Sequence, residues 1–129
     1  MKGKELPQII KDVGFDFHWS EEKVWELDVP VEEMPTSELE WHFDVPFWST
    51  ESGFYDLKPR EVINNPEKWK REYKRTMDSN LDYPLDIMFW KSHWLLLDGL
   101  HRLAKASVLG QELVRVRKIP VEAIPLIEK

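Results

Sequence analysis

A chain of 129 residues with 42% hydrophobic content has the size of one domain, long enough to bury about two-thirds of its unfolded surface without a covalent staple. It contains no cysteine, which excludes disulfides, thiolate zinc sites and thiol catalysis. The net charge of −6 repels polyanions, so nonspecific binding to DNA or RNA is not expected.

The start, MKGKELPQIIKD, is charged and lacks an apolar core of signal-peptide length, and no run approaches the ~20 apolar residues of a membrane span. A cytoplasmic protein with no membrane partner is the expectation. Without internal repeats or Gly/Ser linkers, the chain divides into an N-terminal extension over residues 1–23 and one domain over 24–129. Residues 24–31, VWELDVPV, alternate Trp25, Leu27, Val29 and Val31 on one side, which predicts a first strand with Pro30 at its end. Ser37 and Glu40 have the spacing of a capping box and predict a short helix at ELEWHF, followed by the aromatic loop DVPFW. Trp41, Phe43, Phe47 and Trp48 suit a core, or the wall of a pocket that stacks a ligand.

Between Leu57 and Ser79 the four-residue spacing of Trp69, Tyr73 and Met77 marks a helix face. Asn65 before Pro66 predicts that a second helix starts there. LDIMFW and HWLLL flank Lys91 and Ser92 and predict a hairpin. Leu100, Leu103, Ala104, Ser107 and Val108 form one helical stripe, with Gly110 as the residue past its end. LVRVRKI then reads as a strand reached from HWLLL by a right-handed parallel crossover.

Chemistry concentrates at the junction LLLDGLHRLAKASVLG. The first N–H groups of a helix lack internal partners and present positive potential. Gly99 permits close approach of a ligand, and His101 and Arg102 in the first turn supply donors suited to phosphate. The alternative from the same residues is structural: Asp98 as N-cap, Gly99 relieving the turn, and His101 and Arg102 on the solvent face.

This motif, with DVPVEEM before it and LDYPLDIMFW leading into it, resembles the ParB/sulfiredoxin superfamily, in particular small stand-alone members with an Asp-Gly-x-His-Arg loop. The resemblance implies an α+β fold, a small mixed sheet with packed helices in a single domain. It also implies a loop of Gly99, Leu100, His101 and Arg102 that binds a nucleotide such as ATP, ADP or CTP. Sulfiredoxins carry their catalytic cysteine where this chain has Leu100, so sulfinic-acid repair is excluded. Partitioning members carry Gly-Glu-Arg-Arg at this loop and a helix-turn-helix domain, which makes a DNA-sliding clamp unexpected, and a ParB-like nuclease is the least expected activity.

Some relatives phosphorylate a small hydroxyl-bearing substrate, which implies Mg²⁺ and a carboxylate base. Of Glu33, Glu38 and Glu40 near the predicted first strand, Glu38 or Glu40 is the preferred base. Asp98 is either a catalytic, metal-bridging carboxylate or the helix cap. A small phosphotransferase or nucleotide hydrolase is the leading expectation, and a non-catalytic regulatory or partner-binding module of the same fold is the alternative.

Overall fold

Residues 6–129, described by a computed structural model, fold according to where their apolar runs can be covered. In chain order they form α1 (Gln8–Asp12), α2 (Glu21–Trp25), β1 (Val31–Pro35), 3₁₀ turns at Thr36–Glu38 and Glu40–Asp44, α3 (Pro59–Asn64) and α4 (Lys70–Asp78). Then come β2 (Leu85–Trp90), β3 (His93–Asp98), α5 (Leu100–Val108), β4 (Leu113–Lys118), a 3₁₀ turn at Val121–Ala123 and α6 (Ile124–Ile127). The result is a mixed α+β fold around one four-stranded sheet in the order β1-β4-β2-β3.

β2 and β3 read as continuous apolar runs because both faces of the sheet are covered. Leu85, Ile87 and Leu96 enter a core with Val62 of α3 and Leu103 and Ala104 of α5. Met88, Leu95 and Leu97 enter a second core with Val24, Ile119 and Ile127. The hairpin forms as expected. Its two turn residues, Lys91 and Ser92, have φ of 56° and 68°, the left-handed pair whose twist matches a two-residue hairpin. Lys91 Nζ is anchored 2.7 Å from Asp16 Oδ2.

Four expectations are corrected. Residues 24 and 25 belong to α2, because Ser20 Oγ accepts the Lys23 N–H (3.3 Å) and Glu21 and Glu22 favour a helix amino end. The strand begins only at Val31, just past Pro30. No capping box forms at Ser37 and Glu40: two 3₁₀ turns replace the helix, winding tightly enough to bury Leu39, His42 and Phe43. Asn65 closes α3 instead of opening α4, since its side-chain amide donates to Glu61 O at 3.1 Å, and α4 starts at Lys70. The crossover from β3 to β4 is not parallel: β4 runs parallel to β2 and so opposite to β3, pairs antiparallel with β1, and leaves β3 at the sheet edge.

The segment before α2 is packed onto the second core. Ile10 is fully buried, Trp19 Nε1 donates to Leu97 O (3.1 Å), and Ser20 N–H donates to Ile127 O (2.8 Å). No helix among the described residues is long and apolar enough to cross a membrane.

Candidate functional site

The site begins with an irregularity in the hairpin. Pairing runs from Trp90 with His93 to Ile87 with Leu96, then slips past Leu97 so that Asp86 faces Asp98. On its other side Asp86 pairs with Arg117 of β4. One row across three strands therefore carries Asp98, Asp86 and Arg117. Like charges directly opposite each other destabilise a sheet, and bulges commonly re-aim side chains at functional sites. Two arginines compensate here.

Arg117 Nε lies 2.7 Å from Asp86 Oδ1, and its other nitrogens donate to Leu27 O (2.7 Å) and Val24 O (2.9 Å), which ties the segment around α2 to the sheet. Asp86 is only 2% exposed, and burial raises its pKa against the opposing pull of Arg117. Asp98 Oδ2 accepts from Arg102 Nη2 at 3.0 Å and from Trp25 Nε1 at 2.7 Å. Arg102 Nη1 donates to Pro84 O (2.9 Å), so this guanidinium clamps the start of β2 to the end of β3.

Gly99 occupies the cap position of α5 at φ 115°, and no side chain caps the helix. Asp98 is thus not the N-cap; its carboxylate is turned to Arg102 and Trp25. A Cβ at Gly99 would stand 2.6 Å from Leu85 Cδ2, so a side chain here would have to displace Leu85 in addition to straining the backbone. His101 does not lie on the solvent face. Its ring stacks on Trp48 with centroids 4.6 Å apart and planes 14° apart, Nε2 is 3.5 Å from Glu72 Oε1, and burial lowers its pKa. Leu100 is partly buried against the first core.

Gly99, Leu100, His101 and Arg102 line one cavity of about 360 Å³ together with Ser79, Asn80, Tyr83 and Asp98. A larger one, about 610 Å³, shares Tyr83, Asp98 and Arg102 with it and adds Trp25, Pro84, Asp86 and Arg117. Trp25 and Tyr83 are 56% and 64% exposed, unusual for large aromatic rings.

Asp98 to Arg102, consecutive in the chain, line these cavities together, and the structure does not bring Glu38 or Glu40 to them. Glu38 is exposed in the first 3₁₀ turn, Glu40 lies in the second, within electrostatic reach of Arg60, and neither lines these cavities. Among the described residues no group of three or more His, Asp or Glu side chains is placed to hold a metal. Trp25, Tyr83, Asp86 and Arg117 escaped the sequence reading. Asp86 carries a usable signal, a lone carboxylate inside the apolar run LDIMFW, whereas the alternation around Trp25 predicts a strand and the structure has a helix there. No family model, no curated protein and no solved structure matches the chain.

Proposed function

We propose that the chain is a nucleotide-binding domain of the ParB/sulfiredoxin-like type, with its nucleotide in the groove that runs from the amino end of α5 to Trp25 and Tyr83. The carrying observation is the pair of cavities joined through Tyr83, Asp98 and Arg102: one end offers an uncapped helix terminus, the other two exposed aromatic rings. Backbone N–H groups of α5 meet the phosphates, as helix amino ends do, and the rings offer apolar faces to the base. Arg102 supports this end chiefly by fixing Asp98 and Pro84, its nitrogens being already engaged.

Asp98 is the carboxylate nearest the phosphate end, and a Mg²⁺ there would be held by Asp98 and the nucleotide's own phosphates, since Mg²⁺ is commonly bound by one or two carboxylates plus phosphate oxygens. Bound in that way it would neutralise charge on a phosphoryl group during transfer or hydrolysis. The non-catalytic alternative draws support from one feature: the carboxylate and guanidinium an enzyme would use are bonded to each other.

Calorimetric titration and thermal melting with ATP, ADP and CTP, each with and without Mg²⁺, test the proposal. A nucleotide at a hundred times its Kd should stabilise the fold by about 2.7 kcal/mol. Absence of both heat and melting shift with all three at millimolar concentration overturns it. Stoichiometric binding with neither hydrolysis nor transfer to any of a panel of hydroxyl compounds selects the regulatory alternative.

A further inference from the structure

A separate cavity of about 260 Å³ touches the same loop but has a different wall. Phe15, Phe47, Trp48 and Tyr55 supply aromatic surface, Glu21 and Asp98 supply carboxyl groups, and among the described residues no lysine or arginine lines it. The two histidines in its lining, His42 and His101, have pKa values lowered by burial, His42 to about 4, so neither adds positive charge at neutral pH. Burial and the neighbouring Asp98 raise the pKa of Glu21, outweighing the opposite effect of Lys129 and Arg102. Tyr55 is held over this space at φ 51°, a left-handed conformation rare for a residue with a bulky side chain. Its N–H donates to Ser49 Oγ (2.8 Å), and Asp56 braces the same loop through Thr50.

Aromatic faces attract cations, most strongly where water is excluded. An ammonium group in this cavity would meet ring faces and find the carboxyl of Glu21 without a competing cation in the lining. A ligand carboxylate would face the carboxyl groups of Glu21 and Asp98. We infer that this cavity binds a small organic ammonium ion that bears no carboxylate of its own. The cavity shares Asp98, Gly99, Leu100 and His101 with the phosphate end of the nucleotide groove but does not rest on that reading, so its test uses the protein without nucleotide or Mg²⁺.

The experiment titrates the full chain with ethylammonium and tetramethylammonium chloride, read by NMR shifts of the indole N–H groups, with tert-butanol and glycine betaine as the neutral and zwitterionic controls. Saturable one-site binding of at least one ammonium ion, with the controls weaker by about tenfold or more, is the expected result. Glu21→Gln should weaken ethylammonium about tenfold or more through loss of a charge-assisted bond, and Tyr55→Leu should weaken tetramethylammonium about threefold or more through loss of a ring face. Both variants are checked for an unchanged melting temperature, and Tyr55→Phe, which keeps the ring, should restore binding if Tyr55→Leu proves unstable. Failure of both ammonium ions to bind overturns the inference. So does equal binding of either control, or unchanged affinity in folded Glu21→Gln.

Discussion

His42 shows how one side chain couples stability to pH. Its Nδ1 donates to Leu39 O at 2.7 Å, which leaves Nε2 to accept the Leu96 N–H at 3.0 Å, so the neutral ring stitches the second 3₁₀ turn to β3. Protonation would turn that acceptor into a donor facing a donor, and burial adds to the cost, lowering the pKa from 6.5 to about 4. The unfolded chain takes up the proton first. Stability is therefore complete above the unfolded pKa of 6.5 and falls as pH drops through the window toward about 4. From pH 7.5 to pH 5 this residue should remove about 2 kcal/mol, measured as the difference in urea-unfolding free energy between the wild type and His42→Gln. Parallel pH profiles for the two proteins would show that the ring is not what titrates.

The helix α5 depends on two glycines for different reasons. Gly110, at φ 74°, closes it: Gln111 N–H donates to Ala106 O (2.9 Å), Gly110 N–H donates to Ser107 O (3.0 Å), and open space surrounds the missing Cβ. Gly99 opens it against Leu85, with no such space. Gly110→Ala should cost about 1 kcal/mol of backbone strain, and Gly99→Ala at least about twice that once the Leu85 contact is included. Chemical denaturation of the two variants decides; equal losses would mean that Leu85 gives way freely. Both glycines, the stripe of α5 and the hairpin strands were legible in the sequence, since each rests on local spacing and turn chemistry. The slip at Leu97 was not, because a bulge leaves no mark in an apolar run. Nor was the pairing of Asp86 with Arg117, which joins residues far apart in sequence. Trp25 was misplaced because VWELDVPV fits a period of two as well as it fits the capped turn set by Ser20, and only packing onto the second core decides between them.

For the whole molecule, the segment before α2 is part of the fold. Phe15, Phe17 and Trp19 pack against the second core, Ile10 is buried, and Trp19 pairs with Glu128 across the chain. Burial of each large apolar side chain contributes roughly 1.5–3 kcal/mol. A variant that starts at Ser20 should therefore melt far below the full chain and bind a hydrophobic dye, as followed by circular dichroism and dye fluorescence. Equal melting temperatures would show the segment to be dispensable.

The strand order β1-β4-β2-β3 also sets a sequence in time. The β2–β3 hairpin and α5 close over short loops, whereas β1 must find β4 by pairing Val31 with Arg117 and Pro35 with Leu113. Loop-closure entropy makes such distant pairings slow. Asp86, Asp98 and Arg102 thus belong to the part of the chain that organises early, and Arg117 and Trp25 to the part that arrives late. Buried Asp86 awaits the guanidinium of Arg117, and the groove's aromatic wall, begun by Tyr83 beside β2, is completed only when Trp25 docks.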